Sequence, residues 1–148
     1  MAAAGDTATT FVLAGGSLAV TVAPTAILTA GVTGASSVSG SLGPVSVSDA
    51  RGTKVGWTVS DVSTTFTGPQ GSTSTAVSYN SGAVTKTGTI TATSSGATTL
   101  TAATPAAVVT GTAASGNNTA TWTPTLTVSL PTSALADTYS GTVTTSIA

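Results

Sequence analysis

Apolar and hydroxylated residues alternate along the C-terminal part of the chain. From residue 120 to residue 130 the sequence reads ATWTPTLTVSL, so every second side chain is apolar and those between are Thr or Ser. This period of two is typical of a β-strand with one buried and one solvated face. A second alternating run follows at residues 139–147. We expect the two runs to form an antiparallel pair that holds a large share of the core.

Shorter runs of the same kind recur along the rest of the chain, with Gly, Pro and Asn between them. The predicted strands outside the final pair cover residues 7–13, 17–22, 38–42, 45–48, 55–62, 76–79, 84–93, 98–101 and 106–110. No segment shows the three-four apolar spacing that a helix needs. We therefore predict an all-β, antiparallel β-sandwich of about nine to eleven strands, Ig-like or of Greek-key topology, as a single domain over residues 1–148.

Composition restricts the chemistry of this domain. Only 5% of the residues are charged, and Cys, His and Glu are absent. The chain therefore lacks disulfides, the common zinc ligands and the usual general base near neutral pH. We predict no catalytic residues, cofactor or metal site, and we assign Asp49 and Asp137 to turns and not to a calcium site. A net charge of -1 with no basic stripe argues against partners such as nucleic acid or membrane surfaces.

The hydroxylated positions form two predicted ladders of Thr. They are Thr85, Thr87, Thr89, Thr91 and Thr93 on one strand, and Thr119, Thr121, Thr123, Thr125 and Thr127 on another. Alternate residues of a strand lie about 6.8 Å apart and neighbouring strands about 4.8 Å apart, which gives a flat hydroxyl lattice of the kind seen in ice-binding β-proteins. The high β-propensity of Thr explains the same pattern without any ligand.

The two Trp residues, Trp57 and Trp122, each have two interpretations. In a sandwich a Trp packs between the sheets as part of the core. Alternatively, one of the two forms a platform on a strand edge on which a sugar stacks. The alternation around Trp57 predicts that Trp57 and Val59 point inward together.

A series of motifs runs along most of the chain in a familiar order. The motifs are Gly40-Ser41-Leu42-Gly43, Asp49-Ala50-Arg51-Gly52 followed by Gly56-Trp57-Thr58-Val59, Phe66, Gly116-Asn117-Asn118-Thr119-Ala120-Thr121-Trp122, and Tyr139-Ser140-Gly141-Thr142-Val143. In this order they resemble the WxL-domain proteins of Gram-positive bacteria, and especially the actinobacterial ones. The resemblance implies an exported protein attached non-covalently to the cell wall, with Trp57 and Val59 on a ligand-binding motif. Val59 stands where the motif has Leu, and the second motif, expected near Ile147, lacks its Trp.

Three functions follow from these observations. The first is non-enzymatic binding of cell-wall polysaccharide or of a neighbouring surface protein, outside a bacterial cell. The second is a self-associating subunit of a filament or layer, in which residues 7–13 or the C-terminal strand pair with a neighbour's sheet edge, because few charges guard the edges. The third is ice binding by the Thr ladders. Residues 1–6 lack the features of a signal peptide, and residues 2–4 look like what remains after an export signal is cleaved.

Overall fold

Ten β-strands form the domain in the computed structural model, which describes residues 3–148. In chain order they are β1 (Leu18–Thr21), β2 (Ser37–Ser41), β3 (Val45–Asp49), β4 (Trp57–Ser63), β5 (Ala76–Asn80), β6 (Thr85–Ser94), β7 (Thr98–Leu100), β8 (Ala106–Trp122), β9 (Thr125–Ser129) and β10 (Val143–Ile147). All pairings between them are antiparallel. The predicted all-β, antiparallel β-sandwich is therefore confirmed. No helix of the described part is long and apolar enough to cross a membrane.

The larger sheet is organised around β8, its longest strand. β6 pairs with one edge of β8, while β3 and β4 share the other edge, opposite its C-terminal and N-terminal halves. β1 and β10 then pair with the outer edges of β3 and β4. The smaller sheet has the order β2-β9-β5-β7. The chain passes from one sheet to the other between β8 and β9.

One hydrophobic core lies between the two sheets. It is built from the inward positions of the central strands, so the burial pattern of β4 alternates as the sequence predicts. The core side chains from the larger sheet include Val45, Val47, Trp57, Val59, Val109, Ala120 and Trp122, and those from the smaller sheet include Val77, Tyr79, Leu100, Leu126 and Val128. A buried hydrogen bond connects the two layers, because Nε1 of Trp122 donates to the hydroxyl of Tyr79 at 2.9 Å. This bond satisfies both polar groups inside the core.

Two predictions about the C-terminal third are wrong. Residues 120–130 are not one strand, because β8 ends at Trp122 and β9 starts at Thr125 in the other sheet. Pro124 has no N–H to donate to a ladder, and its carbonyl instead accepts a hydrogen bond from the N–H of Leu42 at 3.0 Å. The two final alternating runs also do not pair with each other: β9 lies between β2 and β5, and β10 pairs with β4.

Two further strand predictions need correction. The weak strand predicted at residues 106–110 is the start of β8, which continues for 17 residues. Ala113 and Gly116 within it have positive φ, of 53° and 77°, and the pairing with β6 shifts register in this region. Bulges of this kind interrupt the period of two that sequence reasoning relies on. Residues 7–13 form no strand in the described structure, and their side chains are exposed.

Candidate functional site

Trp57 and Val59, the residues that the resemblance places on a binding motif, lie in the core. Trp57 is 2% exposed and Val59 is 0% exposed. The indole Nε1 of Trp57 donates to Oδ1 of Asn118 at 3.0 Å, and Gly111 lies so close to the indole that a Cβ there would be 2.5 Å from Cε2. Trp122 is buried as well, so the core interpretation holds for both Trp residues. Neither Trp57 nor Val59 offers a ligand any surface.

A network of polar side chains, Asp49, Arg51 and Asn118, lies next to Trp57. Arg51 donates from Nε and Nη2 to the two carboxylate oxygens of Asp49, both at 2.9 Å. This hydrogen bonding holds the pKa of Asp49 below its usual value. Nη2 of Arg51 also donates to the carbonyl of Gly56 at 3.0 Å, beside Trp57, and Asn118 donates weakly to Asp49. The motif residues around positions 49–57 and 116–118 therefore stabilise the core through hydrogen bonds. Both carboxylate oxygens of Asp49 accept hydrogen bonds from Arg51.

The structure rearranges the two predicted Thr ladders. Four Thr pairs face each other across β6 and β8: Thr85 with Thr121, Thr87 with Thr119, Thr91 with Thr112, and Thr93 with Thr110. The register shifts on both sides of Thr89, which is paired with Ser115, so the pairs fall into two blocks. Thr123 lies between strands, and Thr125 and Thr127 belong to β9 in the other sheet. The hydroxyl lattice is therefore shorter and less regular than the sequence predicts.

The N-terminal residues 3–14 form an exposed arm. Phe11, Val12 and Leu13 are 85%, 90% and 88% exposed, although they are among the largest apolar side chains of the chain. The first backbone hydrogen bond that joins the described N-terminal part to the domain is donated by Gly16 to the carbonyl of Ala50, at 2.7 Å. The arm thus ends in an apolar run that pairs with no strand among residues 3–148.

An apolar slot opens on the smaller sheet, between two segments without regular strands. Its walls are residues 26–35 and 134–139, and Val38, Phe66 and Val128 contribute to its lining. The cavity measures about 590 Å³, and a neighbouring cavity of about 290 Å³ shares Leu28 and Phe66 with it. Between residues 22 and 35 only Thr29 and Ala35 donate backbone hydrogen bonds to backbone carbonyls. The slot therefore combines apolar side chains with one wall, residues 26–35, whose backbone makes few hydrogen bonds within the described chain.

The arm and the slot carry almost no charge. Residues 7–13 of the arm carry none, and Asp137 is the one ionisable carboxylate that lines the described slot. Ile27 and Val32, at 95% and 81% exposed, add apolar surface along the slot wall. Such an arrangement can bind an apolar extended segment, because the segment brings no charge and Asp137 is the one carboxylate of the slot lining that it could desolvate. Within residues 3–148 no group of three or more metal-ligating side chains gathers.

Sequence reasoning missed one unusual residue, Asp61 on β4. It is 0% exposed, and neither carboxylate oxygen has a hydrogen-bond partner among the described residues. Burial raises the pKa of Asp61 to about 6. The signal was present in the sequence, because positions 57, 59, 61 and 63 share one face of the strand. The alternation that placed Trp57 and Val59 in the core places Asp61 there as well.

Comparison of the chain with protein-family models, with curated proteins and with solved structures gives no match. The arm and the slot therefore have to be interpreted from their own geometry and chemistry.

Proposed function

We propose that the protein is a self-associating structural subunit, which assembles when the arm of one copy adds as a strand to another copy. The observation that carries this proposal is the exposure of Phe11, Val12 and Leu13 on a segment that pairs with no strand among residues 3–148. Soluble monomers rarely leave a contiguous apolar segment of this kind in water. Strand addition would bury these side chains and pair the free backbone groups.

The composition supports the same proposal. Charged residues, and Lys above all, are what natural proteins place on sheet edges to prevent edge-to-edge pairing. This chain has three Lys and Arg residues in total, and the only one of them on a strand is Lys86 on β6. The edge strand β6 thus carries one guarding charge, whereas the other edge strands, β1, β2, β7 and β10, carry no Lys or Arg.

The energies expected for such a contact are moderate. Burial of an apolar side chain stabilises by roughly 1.5–3 kcal/mol, and each new backbone hydrogen bond adds about 0.5–1.5 kcal/mol. Three apolar side chains and a few ladder bonds thus give a gain comparable with the cost of association, about 4–15 kcal/mol. We therefore expect assembly to be reversible and to depend on protein concentration.

Sedimentation velocity at several protein concentrations tests the proposal. The wild-type chain is expected to form larger species as concentration rises, whereas Leu13→Asp is expected to stay monomeric because it places a charge in the apolar contact. Ser46→Asp is the matched control, because Ser46 is exposed on β3, a strand paired on both edges. A wild-type chain that is monomeric at all concentrations, or a Leu13→Asp variant that assembles normally, would show the proposal to be wrong.

The resemblance to WxL-domain proteins supports a place for this assembly outside a Gram-positive cell. The wall-polymer binding that the resemblance implies is the weaker proposal, because the two matching motif residues, Trp57 and Val59, are buried. Retention of the protein on purified peptidoglycan, compared with an unrelated β-sandwich, would measure that binding separately from self-association.

A further inference from the structure

We infer that the arm of one copy docks in the apolar slot of a second copy, so that the subunits join head to tail into an open filament. This inference rests on the proposed function and adds to it the symmetry of the contact and the acceptor. The acceptor is the slot wall at residues 26–35, whose backbone has few hydrogen bonds of its own, in place of a regular edge strand. Its basis is the position of the arm and the slot relative to β1.

The arm and the slot belong to opposite ends of β1. The arm enters the strand at Leu18, while the segment that leaves the strand lines first the smaller cavity, from Val22, and then the slot. Four residues of strand separate these ends by about 13 Å. The arm would have to reverse direction at Gly15 and Gly16 to reach the slot of its own copy.

The contacts of these two glycines oppose such a reversal. The N–H of Gly16 is bonded to the carbonyl of Ala50, and a Cβ on Gly15 would lie 2.5 Å from the carbonyl oxygen of Arg51. The backbone at the base of the arm is thus held against the turn after β3. In this structure Phe11, Val12 and Leu13 are exposed, so the arm does not occupy the slot of its own copy. Together with the anchored base, this favours the slot of another molecule as the site that the arm fills.

The chemistry of the arm fits the slot. In an extended segment Phe11 and Leu13 lie on one side, about 6.8 Å apart, with Val12 on the other side. The slot offers apolar side chains such as Val38, Phe66 and Val128, and its volume of about 590 Å³ is within the ordinary range for ligand cavities. Residues 7–13 bring no charge into it.

Such a contact uses different surfaces on the two partners, and therefore has a direction. Each subunit gives an arm at one end of β1 and receives an arm beyond the other end. Heterologous contacts of this kind generate filaments unless the rotation between subunits closes a ring. A variant with a defective arm and a variant with a blocked slot should therefore each fail to assemble alone. When the two are mixed, the intact arm of one should bind the intact slot of the other.

Two full-length variants test this prediction. Leu13→Asp places a charge in the arm, so that the arm can no longer bind a slot. Ala30→Trp places a large side chain at an exposed residue of the slot wall, so that the slot can no longer receive an arm. Each variant alone is expected to be monomeric, whereas an equimolar mixture is expected to form heterodimers that grow no further. Ala102→Trp, an exposed Ala in the turn after β7, is the matched control and is expected to assemble like the wild type.

Disulfide trapping identifies the contact directly, because the chain has no Cys of its own. Leu13→Cys mixed with Val32→Cys or with Leu135→Cys is expected to give an oxidised heterodimer at least tenfold faster than Leu13→Cys mixed with Thr99→Cys. Thr99 lies on β7, at the far edge of the smaller sheet from β2.

Four outcomes would overturn the inference while leaving arm-dependent self-association intact. They are a Leu13→Cys homodimer as the dominant product, equal trapping at Thr99→Cys, normal assembly of Ala30→Trp, and a mixture of the two defective variants that stays monomeric. If the wild-type chain itself remained monomeric, the proposed function would fail first. The two failures are therefore distinguishable.

Discussion

The buried carboxylate of Asp61 makes a prediction about stability that depends on pH. Asp61 is fully buried on β4, next to β10, and its oxygens have no hydrogen-bond partner in the described structure. Burial disfavours the charged form, so the pKa rises from 3.8 to about 6 on folding. We expect Asp61→Asn to remove this dependence, because an amide stays neutral at every pH.

The sign and size of the effect follow from proton linkage. Between pH 4 and pH 6 the folded chain binds the Asp61 proton and the unfolded chain does not, so the free energy of unfolding falls as pH rises. A shift from 3.8 to about 6 corresponds to about 3 kcal/mol of stability lost by pH 7. Asp49 has the opposite effect on stability, at lower pH. The hydrogen bond from Arg51 lowers the pKa of Asp49, so the stability that Asp49 contributes is lost as the pH falls below 3.8, the ordinary pKa of Asp.

Urea denaturation from pH 4 to pH 7.5 measures this effect, with fluorescence of the two buried Trp residues as the signal. The difference in unfolding free energy between Asp61→Asn and the wild type is expected to grow by about 2.4 kcal/mol in favour of the variant over this range. The chain has neither His nor Glu, so few other groups titrate in this window. Asp6→Asn, at an exposed arm position, is the control. Parallel curves for the wild type and Asp61→Asn would refute the reasoning.

Three core substitutions give further expected outcomes, each measured by urea denaturation. Tyr79→Phe leaves the indole N–H of Trp122 without its acceptor and is expected to lower the free energy of unfolding by about 1–3 kcal/mol. Its control is Tyr139→Phe, which removes the hydroxyl of a partly exposed Tyr and should lower that free energy clearly less. Asn118→Ala removes the acceptor of Trp57 and is also expected to cost about 1–3 kcal/mol. Gly111→Ala brings a methyl group against the Trp57 ring, and overpacking of this kind costs about 1–3 kcal/mol. A change below about 0.5 kcal/mol, the range of ordinary surface substitutions, would contradict any of the three.

Much of the fold could be predicted because the period of two encodes which face of a strand is buried. The strands around Trp57, Val77 and Val45 were found in this way, and so was the absence of helices. The predictions failed where one residue changes the backbone. Pro124 ends a ladder although the alternation continues through it, and Ala113 and Gly116 introduce bulges into β8 although the strand continues. A pattern of side chains does not report the hydrogen bonds of the backbone, and these bonds decide which strands are neighbours.

The arm shows a different limit of sequence reasoning. Residues 7–13 were predicted to be a strand because they form a strand-like run that Gly15 and Gly16 end, yet among residues 3–148 they pair with no strand. An apolar run such as Phe11-Val12-Leu13 indicates side chains that are to be buried, but it does not indicate by which molecule. The slot, whose wall at residues 26–35 has few backbone hydrogen bonds, poses the complementary question of which segment covers it. If the arm docks there in a second copy, the strand prediction describes the assembled protein, and the exposed arm describes the subunit before assembly.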